Sequence, residues 1–321
     1  VGWGGLANTF FDENLKRYEG QRQTLKSLVT PNEYAEMRQS SLTAYYTDPE
    51  IIRSIYRHLE KQGFKGGRIL DPAMGTGNFF SAMPADLRGN SQLYGVELDS
   101  LSGAIAKQLH PDTDVKVQGF ETTAYNDKSF DLVIGNVPFA DFSIMDDKYG
   151  KPYAIHDYFF KKSMDLVRDG GVVAFITSTW TMNKKSTQFR NELNGIASFV
   201  GGVRLPNDAF KHIAGTDVAT DILFFKKGEY AHTIDNWIDT APIPNPSGGV
   251  LEGVVSNDYF TDLDKVAGQY ITKNFHGKTL SVAPFDKPLI EQVDKILDNQ
   301  SFTFDSYLSS YCVSVEKETS S

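Results

Sequence analysis

Cysteine is almost absent from this sequence: one, Cys312, in 321 residues. That excludes an intramolecular disulfide framework and any zinc site built on two or more thiolates. It fits a reducing compartment, and a cytoplasmic location is expected. Long apolar runs are also missing. None approaches the roughly 18 residues that cross a bilayer, so no membrane partner is expected. No G-x-x-x-x-G-K-[S/T] phosphate loop occurs: the single Gly-Lys-Thr is Gly277-Lys278-Thr279, and position 272 is Thr. The ATPase core of a helicase is therefore excluded from this stretch. Positive charge is in deficit, with 32 Lys and Arg against 41 Asp and Glu, a formal charge of −9. A surface that grips nucleic acid throughout would need the opposite balance. A local basic cleft remains compatible with it. The chain lacks an initiating Met, and Val1 to Gly5 is not a signal peptide. It reads as a piece of something longer.

What is present points to an α/β fold. Residues 10–39 read as two helices, with Thr30 as N-cap and Pro31 at the first helical position. A helix is expected over about 50–62, burying Ile51, Ile52, Ile55, Tyr56 and Leu59 on one face. Seven strands are expected: Gly67–Leu70, Leu93–Val96, Val115–Val117, Phe130–Ile134, Val172–Thr177, Phe199–Arg204 and Asp221–Phe225. Amphipathic segments or polar loops separate most of them, which argues for a largely parallel sheet covered on both faces. The last two lack a clear intervening helix, so an antiparallel final strand is expected. Composition makes Ala241–Gly249 a linker. Residues 250–285 suggest a small β-rich extension, and 288–299 an amphipathic helix. The divisions expected are an N-terminal helical segment (1–40), a central domain (41–230) and a partly flexible C-terminal extension (231–321).

Three motifs carry chemistry. In Asp71-Pro72-Ala73-Met74-Gly75-Thr76-Gly77-Asn78-Phe79 a strand ends, a Gly-rich turn follows and a helix starts. An open α/β sheet binds nucleotide-like ligands at such a place. The third glycine of a dinucleotide fingerprint is absent, since position 80 is Phe. A carboxylate at Asp71 would repel a pyrophosphate and favour a ligand with a positive amine, such as S-adenosylmethionine. The second motif ends a strand with Glu97, twenty residues after Gly77 and followed by Leu98. An acid there accepts hydrogen bonds from ribose hydroxyls. The third is Phe130-Asp131-Leu132-Val133-Ile134-Gly135-Asn136-Val137-Pro138-Phe139. A ring-conjugated exocyclic amine is a poor nucleophile because its lone pair is delocalised. The Asn136 side-chain oxygen and an adjacent carbonyl can accept its two hydrogens and aim the lone pair at an electrophile. Phe139 can stack on the ring.

Asp71-Pro72-Ala73-x-Gly75-Thr76-Gly77-Asn78-Phe79 with Asn136-Val137-Pro138-Phe139 resembles the amino-group (N6-adenine) DNA methyltransferase family. Val137 stands where the general family has Pro; if that position contributes only its carbonyl, Val supplies it. Tyr45-Tyr46-Thr47 is similar to the family's early cofactor motif, and the motif order is gamma-like. Phe120-Glu121 lies where the family contacts the cofactor's adenine, with the acidic–aromatic order inverted. Further segments, among them Ile155–Phe160, Val203–Pro206 and Asn257–Phe260, resemble the methylase part of helicase–methylase fusions of phages and mobile elements. The resemblance covers roughly residues 1–285. It implies a seven-stranded, mostly parallel Rossmann-like sheet with a reversed last strand. It implies S-adenosylmethionine as cofactor, held by Tyr45, Tyr46, Thr47, Asp71, Pro72, Ala73, Gly75, Gly77, Phe79, Glu97, Leu98, Phe120, Glu121 and Asn136. Catalysis falls to Asn136, Val137, Pro138 and Phe139, with Phe139 and Phe210 against a flipped-out adenine. DNA is the implied partner, together with the rest of a larger polypeptide of bacterial, phage or mobile-element origin. No metal is required.

Other residues have plainer expectations. His156 is expected to cap or anchor a helix start, with a target-site role as the alternative. The loop 140–154, Asp141 included, is expected to be mobile, with a flap over substrate as the alternative. Lys184, Lys185, Arg190, Arg204 and Lys211 are candidates for the basic side of a DNA cleft, against simple solvation. Methylation at cytosine carbon 5 needs a cysteine after proline, whereas Cys312 follows Tyr311. The Asn-x-Pro-aromatic string also serves methylation of RNA bases and protein glutamines. A retained, non-catalytic binding module is a third reading, and a dinucleotide oxidoreductase a distant fourth.

Overall fold

A computed structural model describes residues 10–40, 47–139, 142–210, 219–228, 234–274 and 278–304. Cys312 and Lys211 lie outside them. The strands are β1 (Arg68–Asp71), β2 (Gln92–Glu97), β3 (Asp114–Val117), β4 (Phe130–Asn136), a short hairpin β5 (Ser143–Met145) and β6 (Pro152–Ala154), then β7 (Val167–Ser178), β8 (Ala197–Leu205) and β9 (Thr220–Lys227). All seven expected strands form, and they pair in the order β3-β2-β1-β4-β7-β9-β8. The pairs β3–β2, β2–β1, β1–β4 and β4–β7 are parallel. β9 runs antiparallel to both β7 and β8. The expected reversed strand is thus the last in sequence, inserted between its two predecessors. β8 is buried at every position, as a strand covered on both faces must be.

Helices fill both faces. α1 (Glu19–Leu28) and α2 (Pro31–Ser40) match the two expected near the N-terminus. Thr30 and Glu33 form a reciprocal capping box: Thr30 N donates to Glu33 Oε2 at 2.7 Å and Glu33 N to Thr30 Oγ1 at 3.3 Å. α3 (Pro49–Lys61) is capped by Asp48, which accepts from Glu50 N at 2.8 Å. Its Ile51, Ile52, Ile55, Tyr56 and Leu59 are buried as the periodicity predicts. Short helices α4 (Asn78–Ser81) and α5 (Ala85–Gly89) follow β1, and α6 (Ser100–Leu109) follows β2. α7 (Ile155–Leu166) precedes β7; α8 (Trp180–Asn183) and α9 (Gln188–Asn194) follow it.

The segment read as a linker is instead half of a hairpin, β10 (Thr240–Pro244) with β11 (Val250–Asn257). Its prolines sit in a two-stranded sheet with a register shift between Pro242 and Pro244, a setting that tolerates missing N–H donors. A second hairpin pairs β12 (Gln269–Asn274) with β13 (Lys278–Ala283). α10 (Leu289–Asp298) packs on α3, where Arg57 Nη2 meets Asp294 Oδ2 at 2.7 Å and Lys61 pairs with Asp298. Val293, Ile296, Leu297, Phe302 and Phe304 enter the same core as the α3 isoleucines. Among the described residues, no helix is long and apolar enough to cross a membrane.

Residues 142–154 are no loose loop. The hairpin β5–β6 is fastened by phenols to carboxylates. Tyr149 OH donates to Asp165 at 2.8 Å, Tyr158 OH to Asp146 at 2.6 Å and Tyr153 OH to Glu192 at 2.6 Å. Asp141 lies outside the described residues.

Candidate active site

The carboxyl ends of β1, β2 and β4 bring the predicted residues together. Asp71 ends β1 and is buried. Its Oδ1 accepts from Ala73 N at 3.1 Å, and its Oδ2 has no partner. Burial pushes its pKa up to about 8, against the Ala73 hydrogen bond and helped by the charge of Glu97. Gly75 and Gly77 adopt φ of 56° and 92°, the left-handed region that favours glycine. Gly77 also lies against the His110 ring, so a β-carbon there would collide with it. Pro72 and Ala73 turn the chain between Asp71 and these glycines. Phe79 is a core side chain of α4.

Glu97 ends β2. Its Oε2 accepts from Gly75 N at 2.8 Å and its Oε1 from Asp99 N at 2.7 Å. Burial raises its pKa to about 7 despite both backbone bonds. Glu97 thus pins the glycine turn to the neighbouring strand, a task beyond the expected ribose contact. Leu98 beside it is 58% exposed, an apolar side chain standing at the rim. A buried carboxyl and a half-buried one, with no cationic side chain bonded to either among the described residues, form a site short of positive charge. This fits a ligand that brings an ammonium or sulfonium.

Asn136 ends β4, the strand beside β1. Its Nδ2 donates to Thr47 Oγ1 at 3.1 Å, which fixes the plane of the amide and sets its oxygen as the acceptor end. Thr47 is buried, so one residue of the early motif reaches the Asn across 89 positions of sequence. Tyr45 and Tyr46 lie outside the described residues. Val137 is buried and its N–H is taken by Ile176 O at 3.0 Å. Pro138 and Phe139 continue from it, and Phe139 packs half-buried against the apolar cluster that contains Phe210. Phe210 itself is 2% exposed, with its ring in the core.

Phe120 and Glu121 open a short helical turn after β3. Phe120 is buried against Tyr158 and Phe159. The turn is held by Lys162, which sequence reading missed. Lys162 Nζ donates to Phe120 O at 2.8 Å and Glu121 O at 3.1 Å, and meets Asp146 at 3.3 Å. Burial lowers its pKa. A lysine two residues past the apolar run Tyr158–Phe160 and two before Met164 was the available signal. His110 was also missed: it is buried, with Nε2 3.3 Å from Ser81 Oγ.

The expected basic cleft needs correction. Arg204 and Arg190 are buried. Arg204 bonds Asp221 at 2.7 and 2.9 Å, Ser256 Oγ at 2.5 Å, Tyr270 OH at 3.1 Å and Asn183 Oδ1 at 3.1 Å. Arg190 donates to the carbonyls of Ile238, Thr181 and Lys184. Each is consumed by internal acceptors. Lys184 pairs with Asp157 at 2.5 Å, and Lys185 is exposed. His156 sits buried in the first turn of α7, 3.7 Å from Asp157 Oδ1. No group of three or more potential metal ligands occurs among the described residues.

The chain is similar in sequence to proteins of restriction and modification. The "Defense against restriction protein B" of Escherichia phage P1 is 29% identical over 193 residues, covering 58% of this chain and 8% of that protein. The methylase subunit of the type I restriction enzyme EcoEI of Escherichia coli is 25% identical over 230 residues, covering 63% of this chain and 45% of the subunit. The chain therefore spans less than half the length of either. A solved type I restriction-modification methyltransferase subunit from Streptococcus thermophilus superposes with a TM-score of 0.54 at 15% identity, over 86% of this chain and 59% of that one. That likeness is one of fold, the Rossmann-like fold of S-adenosylmethionine-dependent methyltransferases. The family model described as "N-6 DNA Methylase" matches residues 30–241. These residues run from the capping box at Thr30 through Asp71 and Asn136 to the start of β10, and with both motifs inside that span the chain belongs to the N-6 DNA methylase family.

Proposed function

We propose that this chain is the catalytic part of an S-adenosylmethionine-dependent N6-adenine DNA methyltransferase. One observation carries the reading: Asp71 and Asn136 end adjacent parallel strands, with Gly135 against the Asp71 carboxyl. A site for a cationic cofactor and a site for an aromatic amine then share one wall. Asp71, with Oδ2 unpartnered, takes the amine of the cofactor's methionyl end. Gly75 and Gly77 let it approach the backbone, Glu97 holds that turn and reaches the ribose, and Leu98, Phe120 and Glu121 flank the adenine. When bound, the cofactor supplies the electrophilic methyl carbon.

The residues of this chain prepare the amine. The adenine is rotated out of the duplex, because its N6 is paired and unreachable inside the stack. Asn136 Oδ1 and the Val137 carbonyl accept the two N6 hydrogens, so nitrogen density is directed out of the ring plane. Phe139 stacks on the base, and Phe210 supports it from the core. The released proton leaves to water. No metal and no covalent enzyme intermediate is needed. Residues 41–230 form the methyltransferase domain, 1–40 an N-terminal helical segment and 231–321 an extension. The DNA site is recognised together with the rest of a larger polypeptide.

The test is a methyl-transfer assay with labelled S-adenosylmethionine on duplex DNA, RNA and protein acceptors, beside calorimetric titration with S-adenosylmethionine and NADH. Transfer to adenine N6 of DNA is the expected result. Transfer only to RNA or protein would move the acceptor class. Cofactor binding without transfer to anything would leave a non-catalytic module. Binding of NADH instead would overturn the cofactor assignment.

A further inference from the structure

Trp180 is 60% exposed, and among the described large apolar side chains only Leu28 is more exposed. An indole left in water is costly, while its own helix is firmly seated. Thr181 and Met182, the next two residues, are buried. Asn183 Oδ1 accepts from Arg204 Nη2 at 3.1 Å and from Asn257 N at 2.9 Å. Lys184 N donates to Trp180 O at 3.1 Å, and its ammonium is held by Asp157. The exposed ring therefore stands on a rigid mount.

Its position is defined by the sheet. Asn136 pairs in register with Ile176, and Val137 N donates to Ile176 O. Trp180 lies four residues beyond Ile176, past the carboxyl end of β7, the strand next to the catalytic one. Exposed Lys185 follows it. Phe142 is 48% exposed three residues after Phe139 in the sequence, with its carbonyl bonded to Ile155 N at the start of α7. Exposed flat apolar side chains thus stand on the segments that follow the carboxyl ends of β4 and β7, the strand of Asn136 and its neighbour.

Removing a base from a duplex leaves a gap in the stack, and the unstacking must be offset by something that enters it. The side chain that does so has to be flat, solvent-facing in the free protein, rigidly based and beside the pocket. We propose that Trp180 stacks on DNA at the position the extruded adenine vacates, with Lys185 on a neighbouring phosphate. The inference rests on the DNA methyltransferase reading above, and it adds a positioning residue for the opened duplex.

The experiment compares wild type, Trp180→Ala and Trp180→Phe. One substrate is an oligonucleotide duplex carrying the adenine that wild type methylates; the other is the same duplex with that adenine mispaired, so that it opens without help. On the paired duplex Trp180→Ala should lose roughly 5- to 150-fold in kcat/KM, the range for one base–aromatic stack. Trp180→Phe should keep most of the activity, and the mispaired duplex should restore most of the Trp180→Ala rate. Calorimetric affinity for S-adenosylmethionine should be unchanged in both variants, which excludes misfolding. Wild-type rates for Trp180→Ala on the paired duplex would overturn the proposal, as would equal losses on both duplexes. Equal losses would point to a general DNA contact or to a surface for a protein partner.

A binding arm separates this inference from the reading beneath it. The chain has three tryptophans, and Trp237 is buried. Duplex DNA should quench emission in wild type and leave Trp180→Phe unquenched. If wild type methylates no DNA but shows this quench, the acceptor assignment falls and the stacking contact stands. If it methylates DNA without the quench, the reverse holds.

Discussion

The carboxyl of Asp71 lies against the backbone of Gly135: a β-carbon at Gly135 would come within 2.6 Å of Asp71 Oδ1. That contact joins the cofactor end of the site to the residue before Asn136. Gly135→Ala should push the Asp71 side chain off its position. Affinity for S-adenosylmethionine should fall roughly 10- to 150-fold, the loss of one hydrogen bond to a charged group. Titration calorimetry reads this directly. Unchanged affinity would mean that Asp71 does not hold the ligand where proposed.

Asn136 should separate chemistry from cofactor binding. Asn136→Ala removes an acceptor fixed in place before the reaction, and such losses cost about 10²–10³ in kcat. Cofactor affinity should stay near that of wild type. Thr47→Val removes the acceptor that fixes the amide plane, and single-turnover rates should drop by roughly the several-fold worth of a neutral hydrogen bond. Equal loss of cofactor binding and turnover in Asn136→Ala would refute the assigned role.

The carboxyls of Asp71 and Glu97 make stability and binding depend on pH. Asp71 is held up at about 8 and Glu97 at about 7, both chiefly by burial. Their ordinary values lie near 4. Between about pH 4 and 8 the folded chain therefore binds more protons at these sites than the unfolded chain. Their contribution to stability is largest below that window and falls as pH rises through it. A cationic ligand favours the ionised carboxyls, so its binding should release protons and tighten from pH 6 toward 8. Calorimetry at pH 7 in buffers of different ionisation enthalpy would count them. Proton uptake on binding would contradict the assignment.

Much of this arrangement was legible in the sequence because local signals and tertiary demands agree. The apolar runs around Val133, Phe175 and Leu223 are strands buried on both faces, which continuous hydrophobicity reports. The Asp71–Gly77 turn was legible because only glycines suit its left-handed backbone. The hairpin at Thr240–Pro244 was not, since three prolines in seven residues read as linker and only a two-stranded edge accommodates them. The tie between Thr47 and Asn136 spans 89 residues, and no local pattern encodes it. Arg190 and Arg204 were read as surface charges because arginine is rarely buried. Their burial depends on acceptors contributed by β9, β11, β12 and α8, whose convergence is a property of the fold.

Arg204 shows what that convergence does for stability. Its guanidinium is fully buried, bidentate to Asp221, and bonded to Ser256 of β11, Tyr270 of β12 and Asn183 of α8. It also sits over the Phe260 ring at 4.3 Å. The sheet and the segment after residue 239 therefore share one polar node. Arg204→Ala leaves the Asp221 carboxylate buried without its countercharge, and should destabilise the chain by about 3–5 kcal/mol in urea unfolding. Arg204→Met combined with Asp221→Leu removes both charges at once, and should recover much of that loss. Tyr270→Phe keeps the ion pair and removes one bond, so its cost should be about 1 kcal/mol. A loss below about 1 kcal/mol for Arg204→Ala, the size typical of a solvent-exposed pair, would show that the node does not bind the C-terminal segment to the sheet.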